Sequence, residues 1–518
     1  MSGPVSTKPT MSELTTLVSR SCSGDVTEEY MDRVREQAAS LRTAIEAGEY
    51  DNPEYAVGLE MELYGTDRDP PSRLAPLPEA VFEAGATKEL GVHNAEINTD
   101  PDVLDESGLV AQAERIQSAY RAATEAAAGA GTRLVSDAMW TIPPEAGTEQ
   151  YLAQTERKDG VVLAANMRTD PRYAAIDNAV IRLAEGDIPL SVPGVDRTFP
   201  SILFESLATS IQPHLQIPTA ATFPTAYNGA IRTLGPILAL STNAPFLPPD
   251  LYTSIEDPLK LVERSHHELR IAVFEQSVNA SPNPKVRVPN DIETVEETVD
   301  RVVADDLYAP FLREWITDEP RDSVADRYWE FQYKRSTYWR WLRCVICGDP
   351  VGGGDERSLR IEYRPIPTQP TVADVVGMQW LTVGLIRGLL ATDHPLETLP
   401  WADARGSFYN AARDGLDADL VWMTRTGERT TDSEIIFEEV FDVAREGLAA
   451  SGVSEETIDQ WLGPIERRWT TRTTPSQWKK EQVREHLAAG SDLAGAITQM
   501  QERYIELSEQ EAVFADWL

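Results

Sequence analysis

Only three cysteines, Cys22, Cys344 and Cys347, occur in 518 residues. Three cannot build a disulfide framework, which fits a reducing compartment. Cys344-Val345-Ile346-Cys347 is a lone CxxC with no second pair and no nearby histidine. It therefore lacks the four ligands of a tetrahedral zinc site and the βαβ setting of a redox motif. It reads as two small apolar side chains on one helix. No stretch approaches 18 consecutive apolar residues; the most apolar, around Ile237-Leu238-Ala239-Leu240, is flanked by Pro236 and Thr242. No basic-then-apolar segment opens the chain. These absences predict a soluble, cytoplasmic protein that does not engage a membrane. Nucleotide-binding and hydrolase signatures are missing too. There is no Walker A and no GxGxxG after a strand, and no GxSxG or HExxH. Gly352-Gly353-Gly354 lacks the Lys-Ser/Thr of a P-loop and reads as a hairpin turn.

Positive charge is also scarce. There are 47 Lys and Arg against 84 Asp and Glu, a net charge of −37, and only eight of the cations are lysine. Nucleic-acid binding runs on Lys and Arg displacing counterions, so this balance excludes it as a general affinity. Anionic membrane surfaces are disfavoured for the same reason. The acids are spread along the chain rather than gathered in a tail, which suits a halophile's cytosol, where dense carboxylates keep the surface hydrated. With 42% apolar residues, the chain has ample material for a core.

The first 20 or so residues, rich in Ser, Thr and Pro, read as a mobile lead-in. A main unit over 21–425 and a helical extension over 426–518 follow. Helical spacing runs from Thr27 to Ala47 and from Gly108 to Ala128, and a helix follows Phe223 to Ser241. Beyond Thr371 the chain reads as all-helical, with Thr474-Pro475-Ser476-Gln477 a helix start. The aromatic-rich stretch from Tyr328 to Trp341 suits a core or an interface, so self-association as a homo-oligomer stays open.

Four short strands carry the chemical information. Side chains at i and i+2 share one face of a strand. In Gly58-Leu59-Glu60-Met61-Glu62-Leu63, Glu60 and Glu62 oppose three apolar residues. Glu96 and Asn98 pair in the same way, as do Gln212, His214 and Gln216, and Arg360, Glu362 and Arg364. One amphipathic strand with its polar face in water would look no different. Four of them supply carboxylates and an imidazole, which suit Mg²⁺ or Mn²⁺. Arginine beside such carboxylates suits a transferring phosphoryl group, whose oxygens need neutralising.

In this order the strands resemble the type 2 glutamate–cysteine ligase family, the carboxylate–amine ligases. The resemblance runs through Val57-Gly58-Leu59-Glu60-Met61-Glu62-Leu63, Ala95-Glu96-Ile97-Asn98-Thr99, Arg172-Tyr173 and Gln212-Pro213-His214-Leu215-Gln216. It continues in Ala239-Leu240-Ser241-Thr242-Asn243-Ala244-Pro245-Phe246, in Ile361-Glu362-Tyr363-Arg364 and from Ala404-Arg405 to Ala418. It implies an α+β, glutamine-synthetase-like fold: a curved antiparallel sheet forming a funnel, wrapped by helices, here with extra C-terminal helices. It implies ATP with Mg²⁺ or Mn²⁺, and an acyl phosphate that joins a small-molecule acid to an amine, with γ-glutamylcysteine as the product of the best-known members. By the same resemblance Glu60, Glu62, Glu96, His214 and Glu362 bind metal, and Arg364 contacts the transferred phosphoryl group beside Glu362. Gln212 and Gln216 line the nucleotide or acyl side, and Arg172, Asn243 and Arg405 reach substrate or phosphate.

The chain departs from the family pattern at several points. Pro213 interrupts a polar strand and implies an edge or a bulge. Arg405-Gly406-Ser407 replaces Arg-Glu-Asn, and a segment around Gly186 to Arg197 is inserted. These departures bear on the amine more than on the ATP chemistry. A ligase for another amine, or a non-catalytic descendant that binds nucleotide or a partner protein, are the competing readings.

Overall fold

The computed structural model describes residues 10–69, 72–318 and 320–518. Its centre is one curled, eight-stranded antiparallel sheet. In chain order the strands are β1 (Ala56–Asp67), β2 (Thr87–Lys88), β3 (Asn94–Asn98), β4 (Asp102–Val103), β5 (Thr132–Val135), β6 (Ile211–Ile217), β7 (Leu342–Ile346) and β8 (Leu359–Tyr363). Spatially they run β7-β8-β6-β1-β3-β2, with β4 and β5 also pairing to the long β1. Two separate hairpins, 155–164 and 188–199, fill the middle segment; the second is the insertion seen in the sequence.

Thirteen helices matter to the argument. They are α1 (Met11–Ser21), α2 (Thr27–Glu46), α3 (Glu106–Gly129), α4 (Pro171–Leu183), α5 (Phe223–Ser241), α6 (Pro258–Arg264) and α7 (Leu269–Val278), then α8 (Val372–Ala391), α9 (Trp401–Asp414), α10 (Ser433–Ala450), α11 (Glu455–Thr470), α12 (Pro475–Ala488) and α13 (Leu493–Gln510).

Strand alternation sorts the sheet into two faces. Leu59, Met61 and Leu63 of β1, Ile211, Leu215 and Ile217 of β6, and Leu359 and Ile361 of β8 are buried in one apolar cluster with α5 and α8. The Gln379 side chain of α8 donates to the carbonyl of Gly58, fixing the helix to the strand at 3.2 Å. The opposite face carries the polar residues. Helix α8 is, among the described residues, the one helix long and apolar enough to cross a membrane, yet 83% of its apolar window is buried inside the fold. Helix α5, which carries the Ile237–Leu240 stretch that the sequence reading singled out, does not meet that test. It packs along α10, and glycines make the contact: a Cβ on Gly388 would sit 1.9 Å from the Val443 carbonyl oxygen, and one on Gly447 would sit 2.0 Å from that of Gly384.

The C-terminal helices share this core. Arg468 of α11 meets Asp374 of α8 at 2.8 Å with both side chains fully buried. Lys479 of α12 meets Asp137 at 2.6 Å in the same condition.

Several expectations change. Residues 11–21 form a capped helix, with Leu14 and Val18 buried, where the sequence suggests a mobile lead-in; the rest of that lead-in, 1–9, lies outside the described residues. The CxxC is not helical. Cys344 is part of β7, and Cys347 follows it with a positive φ of 72°, its sulfur 3.6 Å from the Tyr50 hydroxyl. Val, Ile and Cys in succession favour a strand, and β-branching outweighs the helix-compatible spacing. A two-stranded ladder, Trp422–Met423 with Arg429–Thr430, interrupts the helical C-terminal part at its proposed boundary. Pro213 is not at an edge, since β6 lies between β1 and β8. It sits at a bulge. His214 faces Glu362 and Ser210 faces Pro367, so four steps along β6 answer to five along the following strand. The slip falls where proline has no N–H to give.

Candidate active site on the polar sheet face

Register brings the predicted residues together. Glu62 faces Glu96 across β1 and β3, and Glu60 faces Asn98 on one side and Gln212 on the other. His214 faces Gly58 on one side and Glu362 on the other, and Glu362 faces Arg343 of β7. Gly58 puts no side chain opposite His214, which leaves the diagonal to Glu60 open. There His214 Nε2 and Glu60 Oε1 lie 3.2 Å apart. The angle makes no hydrogen bond, so both ring nitrogens of this buried histidine are without a hydrogen-bond partner.

Glu62 is held from one side. One oxygen accepts from the Ser210 backbone N–H at 2.6 Å and the Ser210 hydroxyl at 3.1 Å; the other accepts from Gln212 Nε2 at 3.2 Å. The Gln212 carbonyl oxygen accepts from Arg364 at 2.6 Å, and Arg364 also donates to Glu362. The second Glu362 oxygen accepts from Arg343 Nε at 2.8 Å. Gln216, farther along β6, donates to the Glu54 carbonyl at 2.9 Å. The Glu96 carboxylate accepts from Asn98 Nδ2 at 2.8 Å.

The acids on this face fall into two electrostatic classes. Burial works against the Glu362 charge, but Arg343, Arg364 and His214 outweigh it and hold that carboxyl well below its ordinary range. Glu60, partly exposed at its side chain, is also held below its ordinary value, mainly by His214 against the cost of desolvation. Burial pushes Glu62 up to about 7, with Glu205 adding repulsion. Burial and the neighbouring Glu60, Glu89 and Glu62 push Glu96 well above its usual range. An acid-rich, desolvated face of this kind is stabilised by added positive charge.

Four members of this group are absent from the sequence reading. Glu89 is raised to about 7 by burial and by Glu62, and Glu205 to about 8 by burial and by Glu89. Arg270 of α7, buried 5.4 Å over the Trp341 ring, donates to the Pro365 carbonyl and acts on Glu62 and Glu205. Arg343 is the fourth. Only Arg343 left a signal: it is on the strand leading into the Gly352-Gly353-Gly354 turn, so hairpin pairing brings it to β8.

The remaining candidates divide. Arg172 reaches the rim, where its charge acts on Glu89 and its guanidinium donates to the Ser336 carbonyl at 3.2 Å. Asn243 does not join the group. Its amide donates to the Thr368 carbonyl at 2.8 Å and the Tyr504 hydroxyl at 2.9 Å, which ties α5 to α13. Arg405 is exposed on α9, 4.9 Å over the Tyr409 ring. Its carboxylate neighbour is Glu275, not the sheet acids. Both positions match family motifs, but here one secures helix packing and the other faces away.

Among the described residues, no three His, Cys, Asp or Glu side chains converge as a closed metal cage. Glu60 turns to His214, and Glu362 to its two arginines. The donor set nevertheless fits a hard divalent cation. His214 offers Nδ1 without a partner and Nε2 beside the Glu60 carboxylate, and Glu62 and Glu96 face each other with raised proton affinity.

Comparison with solved structures finds the same architecture. A glutamate–cysteine ligase from Francisella tularensis in complex with AMP aligns with a TM-score of 0.51 at 12% identity, over 89% of this chain and 91% of that one. A bifunctional glutathione synthetase from Pasteurella multocida aligns with a TM-score of 0.46 at 12% identity, over 89% of this chain and 53% of that one. No curated protein matches the sequence. The model of glutamate–cysteine ligase family 2 matches residues 56–507, a span that includes every strand of the sheet and α8 to α12. The acid-rich strands and that match agree, and the chain belongs to glutamate–cysteine ligase family 2.

Proposed function

We propose that the chain is an ATP-dependent carboxylate–amine ligase that joins the γ-carboxylate of glutamate to the amine of cysteine. The observation that supports it best is the polar sheet face, where Glu60, Glu62, Glu96, His214, Glu362 and Arg364 share one surface within a ligase family match.

A carboxylate and an amine do not condense at neutral pH. Phosphorylation makes the carboxyl carbon electrophilic: a carboxylate oxygen attacks the γ-phosphorus of ATP and ADP leaves. The amine then attacks the carbonyl carbon, and phosphate departs as the amide forms. Glu60, Glu62, Glu96, His214 and Glu362 would hold Mg²⁺ or Mn²⁺, which supplies positive charge to the phosphate oxygens when bound. Arg364 is fixed by Gln212 and Glu362 so that its fork meets the transferred phosphoryl group. Gln212 hydrogen-bonds both that arginine and Glu62, which links the proposed phosphoryl contact to the acid pair. Arg172 at the rim would reach the substrate or a phosphate.

The deciding experiment is phosphate release from ATP and Mg²⁺ in molar KCl, with glutamate alone and then with each amino acid added singly. Release that rises only with cysteine is expected. Release with a different amine renames the substrate and keeps the mechanism. Silence across the panel in a folded sample overturns the reading in favour of a non-catalytic binding protein.

A further inference from the structure

A second concentration of charge lies away from the sheet. A cleft of about 570 Å³ opens between α6, α9 and α12, and none of its lining residues belongs to a strand. Arg264, Arg413, Lys480 and Arg484 line it together with His267. In a chain of net charge −37, four cations on one cleft need a reason.

Two of them have a carboxylate partner on their own helix, in partly exposed pairs that leave guanidinium donors for a ligand. Arg413 pairs with Asp414 at 2.6 Å and Arg484 with Glu481 at 3.1 Å. Among the described residues Arg264 and Lys480 have no carboxylate partner. Lys480 is the telling one. It is 2% exposed, and its ammonium donates to the Ser265 carbonyl alone, which leaves two of its three donors free. Its neighbour in sequence, Lys479, is equally buried but has Asp137 as counter-charge at 2.6 Å. Asp414, which also lines the cleft, acts on Lys480 from beyond ion-pair distance and is already paired with Arg413, so the desolvated ammonium has no counter-ion in contact; that is costly, and an anion from outside supplies what the chain does not. Glu263 and Asp417, which also line the cleft, are exposed and lie at its rim. His267 is held neutral: burial, Lys480 and Arg484 push it down to about 3, and its Nδ1 lies 2.6 Å from the Ser476 hydroxyl. It therefore adds a polar wall rather than a charge.

We propose that this cleft binds a small, multiply charged oxyanion, seated on Lys480 and held by Arg264 and Arg484. A phosphate group and a dicarboxylate share that chemistry.

Isothermal titration of the full chain, without nucleotide or divalent ion, tests the proposal. Inorganic phosphate and glutarate are the probes, each titrated into the wild type and into R364Q, which removes the arginine of the acid-rich face. Saturable binding that survives R364Q is expected. It should weaken by roughly ten-fold in R264Q/R484Q, a pair at the accessible side of the cleft, as charge-assisted contacts are lost. K480Q should weaken it at least as much if it folds; the double variant carries the test if it does not. Binding of phosphate alone, or of glutarate alone, supports the site and identifies its anion. The proposal is overturned if neither probe binds saturably to folded protein. It is equally overturned if binding disappears in R364Q or persists unchanged in R264Q/R484Q.

Discussion

Gly58 contributes no side chain to the polar sheet face opposite His214, and Glu60 approaches that imidazole on the diagonal of the strand pair. Glu60 and Glu362 carry different structural burdens, and their variants separate function from stability. Glu60 is 31% exposed at its side chain, and among the described residues no Lys or Arg forms an ion pair with it; its contact is the His214 imidazole at 3.2 Å. Glu60→Gln is expected to abolish ATP turnover while urea denaturation shifts by less than about 1 kcal/mol. Glu362 neutralises both Arg343 and Arg364. Glu362→Gln should lose turnover and in addition roughly 3 kcal/mol, because two buried guanidinium groups lose their counter-charge. Arg364→Lys keeps the charge but not the fork, so turnover should fall by roughly 10- to 100-fold with ATP affinity changed far less. A collapse of affinity at normal turnover would remove Arg364 from phosphoryl transfer.

Away from that face, Asp177 is fully buried and raised to about 7, held by Ser201 and the Ile202 N–H. Its folded-state proton affinity exceeds that of the unfolded chain. Its stabilising effect is therefore complete below the ordinary carboxyl value near 4 and is lost as pH rises toward about 7. Asp177→Asn should raise Tm at pH 8 relative to the wild type, with the difference closing by about pH 4.

At this scale the sequence was legible wherever side chains obey the strand period. Glu60, Glu62, Glu96, His214, Glu362 and Arg364 are all placed by alternation. Glu89 and Glu205 sit on a connecting loop and a 3₁₀ segment, and Arg270 arrives from a helix; no period links them to the sheet.

Among the elements, β1 and helices α2, α3 and α5 could be read in the sequence within a few residues, because each is long and regularly patterned. The hairpins 155–164 and 188–199 could not, since strands of four or five residues between Gly and Pro carry too little pattern. The β6 bulge was half legible: proline announced an interruption, but only the pairing partners decide between an edge and a bulge. The α8–α10 contact was not legible, because glycine inside a helix reads as a weakness rather than as a packing surface. Gly388→Ala drives a methyl into the Val443 carbonyl, and the backbone on both sides leaves no flexible side chain to move aside. A loss of about 3 kcal/mol is expected from a chemical denaturation midpoint. Wild-type stability in that variant would show that the two helices can slide.

For the whole molecule, charge is the dominant property. Most of the ion pairs with both partners well exposed carry little stability each, while the carboxylate excess repels itself everywhere. Screening should therefore help more than it harms. Tm is expected to rise steadily as KCl goes from about 0.1 M to about 2 M, the range over which the Debye length contracts from about 10 Å to below 3 Å. A falling Tm would mean that the surface pairs outweigh the repulsion. The buried pairs Arg468–Asp374 and Lys479–Asp137 are shielded from that salt, so the anchoring of the C-terminal helices should not weaken with it.

Burial of α8 also has a consequence for how the chain is made. Its cover, α10 and α11, ends at Thr470, about 80 residues after α8 ends at Ala391. At roughly 5–20 residues per second, the ribosome needs about 4–16 s to deliver that cover. For that interval the nascent protein carries α8 without its cover, an apolar helix as long as a membrane span. A chain stalled before α10 therefore leaves that apolar surface uncovered, and a truncation after Ala391 is expected to aggregate or to be retained by chaperones until α10 and α11 are supplied.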